Sequence, residues 1–389
     1  MTETQSESSI PAQGNADAQF GKEMPEAQVA IDTASPVITY DPNTPIELST
    51  ETLESLGSLA NNLGPARGRL DLKASKTAID LVMKGRFKGF QNFVRLIGCE
   101  QDSNMVIAGG GASLEDTLMD IKIRAKVSKR WKHMVCNKTH DHFVKHQMGG
   151  IIDYATMCDP GDWIANYIKP RKGVRYSLAS QLHEKTLEKF LGVKNNTFLW
   201  HCDSQYNDWM GLMVTMRDWF EKTYPKEQWG FFGQGASSIG LLAIYQAKVM
   251  GVAEAELHGF DSCYLPDRDK LHAYPKPKTT KRLNDVTVTS KKTGDKLRFV
   301  SNPEMARQAL EFGNLIQNVS VSDRDQWNMR VTVAGDGVIP WLAWKDGGKF
   351  FRHKNPDEMR ERYGLDSQVD IRPDWAIDPA TGNTRMSVQ

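Results

Sequence analysis

The residues best suited to chemistry form a short glycine run, Gly109-Gly110-Gly111-Ala112-Ser113. It follows the apolar stretch Val106-Ile107-Ala108 and leads into the helical pattern of Leu114 to Ile123. Glycine has no Cβ and tolerates positive φ, so backbone here can approach a ligand closely. A turn that opens a helix also aims unpaired amides at whatever sits above it. An anion, a phosphate above all, is the ligand this suits. Ser113 can cap the helix, and Glu115 and Asp116 fit its first turn. The run is no Walker A loop, because no Gly-Lys-Ser/Thr follows, and it lacks the Gly-x-Gly-x-x-Gly spacing.

Other candidates share one kind of place, the end of an apolar run. Asn137 closes His133-Met134-Val135-Cys136, and Asp159 closes Tyr154-Ala155-Thr156-Met157-Cys158. A buried Asn amide can read the edge of a base or sugar. An Asp can hold a ribose hydroxyl or a divalent cation. Each can equally cap the turn that follows. Asp261 ends Glu256-Leu257-His258-Gly259-Phe260 and, with Asp159, is a candidate metal ligand and a candidate participant in catalysis. His272-Ala273-Tyr274 follows in a polar loop that also holds Lys270, Lys276, Lys278, Lys281 and Arg282. A histidine titrating near neutrality can act as a general base, which makes His272 the candidate. The basic run suits phosphates or a solvated loop. Ser237 and Ser238 end a second Gly-rich turn, ahead of an apolar helix from Ile239 to Met250. His140, His142 and His146 mimic metal spacing, yet no His-Glu-x-x-His pattern is present, and they read as a polar helix face.

The elements that must position these groups alternate. Apolar runs ending at Ala108, Cys136, Cys158, Cys202 and Gly259 read as buried parallel strands, and helical patterns separate them. Such an order implies right-handed crossovers and a ligand crevice at the carboxyl edge of the sheet. The expected architecture is α/β: a Rossmann-like, mostly parallel sheet flanked by helices, with a helical N-terminal lead-in and a small hairpin and helical C-terminal extension. Residues 1–46 are acidic, polar and aperiodic, and are expected to be disordered. Residues 47–103 form the lead-in, 104–322 the nucleotide-binding domain, and 323–389 an extension and tail. Within 265–300, Asp285 to Thr289 and Lys296 to Val300 alternate around Lys292-Thr293-Gly294-Asp295, a hairpin signature. Pro303 to Asn318 reads as a helix, and Val319 to Ser322 as a final strand. A charged helix is expected near Pro356 to Tyr363.

Composition narrows the classes. A net charge of +1 gives no whole-chain field for nucleic acid or membrane. No apolar run approaches the roughly 18 residues of a membrane span. The polar start lacks a secretory signal, so a cytoplasmic place is expected. Five well-separated cysteines make no Cys-x-x-Cys pair and suit buried reduced thiols.

In their order, these motifs resemble the MptE-like family. It includes archaeal 6-hydroxymethylpterin diphosphokinases and Maf flagellin glycosyltransferases, and is similar to bacterial sialyltransferases that use CMP-activated sugars. The matching residues are Gly109 to Leu114, Cys136 to Asp141, Cys158 to Pro160, Gly235 to Gly240, Gly259 to Asp261 and His272 to Tyr274. The departure is Ala112, where the family usually has Pro. The resemblance implies a nucleotide site. Gly109, Gly110, Gly111 and Ser113 would hold phosphate or ribose, Asn137 and Asp159 would flank the nucleoside, and Ser237 and Ser238 would approach the phosphates. His272 would be the base. The expected ligand is a nucleotide or nucleotide-sugar, CMP-type preferred, with Mg²⁺ possible. The acceptor is a hydroxyl on a protein, a glycan or a pterin. Three readings follow: a sugar transferase with a nonulosonic-type donor, an ATP-dependent diphosphokinase, and a nucleotide-binding protein without turnover.

Overall fold

The computed structural model describes residues 48–61, 72–87, 89–101, 103–127, 129–202, 205–207, 213–227, 230–232, 237–265, 272–274, 283–291, 294–320, 329–346 and 350–351. The expectations for residues 1–46, the basic run around His272, the 233–236 turn and the helix near 356–363 lie outside them.

The lead-in supplies helices α1 (Thr50–Asn61) and α2 (Leu72–Met83) and a two-residue strand β1 (Gln91–Asn92). The alternating core follows: β2 (Asn104–Ala108), α3 (Leu114–Val127), β3 (Trp131–Cys136), α4 (Thr139–Lys145), β4 (Tyr154–Met157), α5 (Ile164–Tyr167), β5 (Arg175–Ala179), α6 (Glu184–Lys189) and β6 (Thr197–Cys202). A small ribbon of β7 (Gln205–Asn207) and β8 (Met213–Thr215) leads to α7 (Met216–Thr223) and β9 (Phe231–Phe232). Then come α8 (Ile239–Val249), β10 (Glu254–His258), the hairpin β11 (Asn284–Thr289) and β12 (Lys296–Ser301), α9 (Pro303–Ser320), β13 (Arg330–Ala334), α10 (Val338–Asp346) and β14 (Phe350–Phe351).

The main sheet has the order β1-β6-β5-β4-β3-β2-β10-β13-β14, with β9 beside β6, and each of its pairings is parallel. From β2 the chain moves outward through β3, β4, β5 and β6, then returns to the other side of β2 as β10. The order therefore reverses between β2 and β10. In open parallel sheets that reversal leaves a crevice at the carboxyl edge, because the flanking connections leave on opposite faces.

Strand side chains alternate between two apolar layers, as the period of two requires. Met105 and Ile107 of β2 join the layer holding α1, α8, α9 and α10, while Val106 and Ala108 join the layer of α3 to α6. Some polar groups inside the layers pair across them. The Ser177 hydroxyl of β5 donates to Gln246 of α8 at 2.9 Å, and Arg124 of α3 meets Glu256 of β10 at 2.5 Å. On the lead-in, the Thr52 hydroxyl donates to the Thr289 carbonyl and accepts from its amide, which docks α1 on the hairpin.

Two segments near the C-terminus differ from the sequence reading. Val319 and Ser320, expected to open a strand, are the last turn of α9, whose buried Ala309, Phe312 and Ile316 keep the helical stripe going. Residues 323–389, expected to be an extension beyond the sheet, contain β13, which pairs with β10 along five residues from Glu254↔Arg330 to His258↔Ala334. Its buried Val331 and Val333 complete the layer on which α9 and α10 rest. Among the described residues no helix is long and apolar enough to cross a membrane.

Candidate functional site

The Gly-rich turn stands at the strand-order reversal. Gly109 donates its amide to the His258 carbonyl at 2.7 Å, and Gly111 donates to the Gly259 carbonyl at 2.8 Å. The end of β10 thus holds the first and third glycines of the turn. The Gly110 amide has no partner among the described residues.

Asp261 locks this arrangement. It is 1% exposed, and its two carboxylate oxygens accept from Ser113, one from the amide at 2.8 Å and one from the hydroxyl. Ser113 is fully buried, so its hydroxyl faces Asp261 rather than the crevice. Glycine is required around the pair. A Cβ on Gly111 would lie 2.6 to 2.8 Å from the Asp261 carboxyl atoms. Gly337, at φ +124°, would place one 2.7 Å from the Asp261 Cα, and the Asp261 carbonyl accepts the Val338 amide at 2.8 Å. Three segments far apart in the chain therefore meet at one residue, Asp261.

Residues His272 to Tyr274 lie across the turn. The Gly110 carbonyl accepts from the Ala273 amide at 3.2 Å and stands 3.1 Å from His272 Nδ1. A carbonyl can only accept, so Nδ1 is the donor in this contact. The His272 and Tyr274 rings stack with centroids 5.7 Å apart. Tyr274 is buried over Gly110, where a Cβ would lie 3.0 Å from its Cζ and closer still to its hydroxyl. Burial pushes the Tyr274 hydroxyl up to about 12, against the lowering effect of a hydrogen bond with Thr139. Thr139, at the start of α4, donates its own hydroxyl to the Gly109 carbonyl at 2.8 Å.

The next two strand ends adjoin this centre. Asn137 has φ +47°, a conformation that Asn tolerates better than most residues, and its side-chain oxygen accepts from the Cys158 amide at 3.4 Å. Asp159 accepts from the Gly161 amide at 3.1 Å, an Asx turn. Both residues therefore make the turn contacts of the bland reading while half-exposed at the crevice. On the opposite layer, Ser238 caps α8 by accepting from the Leu241 amide, and the Ser237 amide donates to the Glu311 carboxylate at 2.7 Å. An anionic group already sits at this helix start. The Phe260 ring spans the gap, since a Cβ on Gly109 or on Gly240 would meet it at 3.2 and 2.9 Å.

Sequence reasoning passed over Lys138. Its ammonium lies 5.3 Å from the Tyr274 ring centroid and 5.6 Å from that of Tyr167, between the two aromatic faces at the mouth of the crevice. Its place directly after the strand-closing Asn137 was the available signal. The thiols at the strand ends are poor nucleophiles. Burial pushes Cys136 up to about 12, and burial with the neighbouring Cys202, Asp159 and Cys136 holds Cys158 well above its ordinary value. His140 is no ligand for the crevice. Burial, with the nearby Arg171 charge, lowers it to about 4, and its Nε2 lies 3.2 Å from the Tyr176 hydroxyl.

No family model matches the chain, and no curated protein matches its sequence. Among solved structures, one similar chain is the sialyltransferase CstII from Campylobacter jejuni, in complex with a substrate analogue, cytidine-5'-monophosphate. The superposition has a TM-score of 0.32 and 12% identity, and it covers 68% of this chain and 98% of that one.

Proposed function

We propose that the chain is a nucleotide-dependent transferase that passes a sugar from a nucleotide-activated donor, CMP-type and nonulosonic, to a hydroxyl acceptor. One observation carries this reading. The imidazole of His272 is hydrogen-bonded to the same turn whose central amide has no partner among the described residues, which supports a base and a leaving phosphate held on one backbone unit. Gly109, Gly110 and Gly111 receive the donor phosphate, aided by Lys138, while Asn137 and Asp159 flank the nucleoside. Ser113 and Asp261 act as positioning residues that hold the turn. Ser237 and Ser238 supply the second helix start, and an entering phosphate there competes with the Glu311 carboxylate.

In the chemical step the acceptor hydroxyl gives its proton to His272 Nε2. Its oxygen forms the bond to the anomeric carbon as the bond from that carbon to the phosphate oxygen breaks. The nucleotide leaves with the electron pair on its phosphate, where the Gly110 amide and the Lys138 ammonium stabilise the growing charge. A positioned base typically contributes about 10² to 10⁴ in rate.

The diphosphokinase reading needs acidic groups turned towards a cation bridging phosphates. Asp261 has both oxygens taken by Ser113, which favours sugar transfer. The deciding experiment is a thermal-shift panel of CMP, CTP, UDP, GDP and ATP, each with and without Mg²⁺, followed by an assay of CMP release from a CMP-activated sugar. Stabilisation by the cytidine nucleotides, independent of Mg²⁺, and CMP release are expected. A shift confined to ATP with Mg²⁺ would establish the diphosphokinase reading instead. Nucleotide binding with no turnover of any donor would leave a non-catalytic binding protein.

A further inference from the structure

Besides the crevice, the fold brings together a second set of groups suited to chemistry. Glu115 stands in the first turn of α3. His142 lies within α4, and His146 follows at its C-terminal cap, four residues on. One ligand atom from each of the three lies within 4.8 Å of the other two. The imidazole rings have centroids 4.3 Å apart at an angle of 51°. His142 is buried at 5% exposure, Glu115 is exposed, and His146 is intermediate. The three are drawn from two helices, so the cluster exists only once α3 and α4 have packed on the same face of the sheet. His140, although on the same short helix, is directed to Tyr176 and takes no part.

We propose that Glu115, His142 and His146 bind a divalent transition-metal ion, zinc in the first instance, at the rim of the crevice. Two imidazole nitrogens and one carboxylate oxygen are a borderline donor set of the kind that takes zinc and its neighbours rather than Ca²⁺ or Mg²⁺, which prefer all-oxygen shells. Ligand atoms of a tetrahedral zinc at 2.0 to 2.1 Å stand about 3.3 Å apart. The ligand atoms, within 4.8 Å of one another, must draw closer to reach that value, and Glu115 and His146 are the less buried of the three side chains. Three protein ligands leave a fourth position open to water or to a ligand.

The place of the cluster gives the ion a consequence. Glu115 is two residues beyond Ser113, and the His142 ring centroid is 5.9 Å from that of Tyr274, which covers Gly110. An ion held there fastens the start of α3 to the end of α4, directly beside the turn and its covering segment. This site is distinct from any Mg²⁺ on nucleotide phosphates, and it stands apart from the transferase reading, because it is tested without nucleotide.

The test uses the full chain, stripped of metal and titrated with Zn²⁺ by calorimetry, with native mass spectrometry for stoichiometry and Co²⁺ absorption as a ligand reporter. One ion per chain is expected, with a Co²⁺ spectrum free of thiolate charge transfer and a melting temperature that rises with Zn²⁺. His146→Ala and Glu115→Gln, both at accessible positions and checked by far-UV dichroism, are each expected to weaken binding by at least about tenfold. His142→Ala is expected to do the same. Absence of binding at micromolar Zn²⁺ would overturn the proposal. So would affinity unchanged in both accessible variants, or a thiolate band placing the ion on the cysteines.

Discussion

Gly110→Ala tests the central contact of the site. Gly110 is not among the residues with positive φ, so alanine meets no backbone strain there. Its nearest obstacle is Tyr274, whose hydroxyl must withdraw by roughly 1 Å to reach ordinary contact at 3.4 Å from the new Cβ. Overpacking of this kind costs about 1 to 3 kcal/mol. Tyr274→Ala alone removes a largely buried ring, at a cost of about 3 kcal/mol. In that background the obstacle to Gly110→Ala is gone, and the loss of unfolded-chain freedom makes the alanine neutral or stabilising by about 0.4 to 1 kcal/mol. The cycle therefore predicts a coupling of about 2 kcal/mol between the two positions, read from urea unfolding of the four proteins at constant m-value. The same withdrawal pulls His272 from the Gly110 carbonyl, and a misplacement of about 1 Å can lower turnover by about a hundredfold. Additive costs within about 0.5 kcal/mol would refute the reasoning, because Tyr274 would then not lie over the turn.

Other perturbations separate the remaining roles. His272→Ala is expected to lower turnover by about a hundredfold or more with donor affinity nearly unchanged; loss of affinity instead would make His272 a phosphate ligand. Lys138→Ala is expected to weaken nucleotide binding by about tenfold, near 1.4 kcal/mol, with little change in melting temperature. Burial would raise the Glu256 carboxyl, but the hydrogen bond with His258 and the Arg124 charge outweigh it and hold the pKa at about 2 against 4.5. The lowered value means that this group stabilises the fold fully above pH 4.5 and loses its contribution as pH falls towards 2, a span of about 3 kcal/mol. Glu256→Gln should flatten the acid limb of a stability-against-pH curve over that window and destabilise the protein at neutral pH; an unchanged acid limb would show the pair to be inert.

What could be read from sequence follows from how locally each signal is written. Gly109 to Ser113, the apolar helix from Ile239 and the hairpin about Gly294 are local patterns, and the structure has them where they were expected. β5 escaped notice because Arg175 opens it and Ser177 interrupts it. Only the facing Gln246 makes that serine acceptable in a buried strand. β13 lies beyond a helix whose β-branched end imitated a strand. Asp261 drew attention as an acid at a strand end, but its bond to Ser113 spans 148 residues and has no local signature. The glycines at 335 and 337 were the trace it left. Glu115 lacked one as well, since its partners belong to another helix.

The meeting of Ser113, Asp261 and Gly337 also says when the site can come into being. During synthesis the turn at Gly109 emerges early, together with the strands that flank it on one side. Its two outer glycine amides stay unclaimed until β10 arrives, and the loop beyond Asp261 has no seat until Gly335 and Gly337 leave the ribosome and β13 pairs with β10. Contacts of such long sequence separation form late, because the loops they close are long. A nascent chain stalled before residue 335 would carry each glycine of the turn and still lack the contacts that hold it, so assembly of the turn is timed to the last strands rather than to the first.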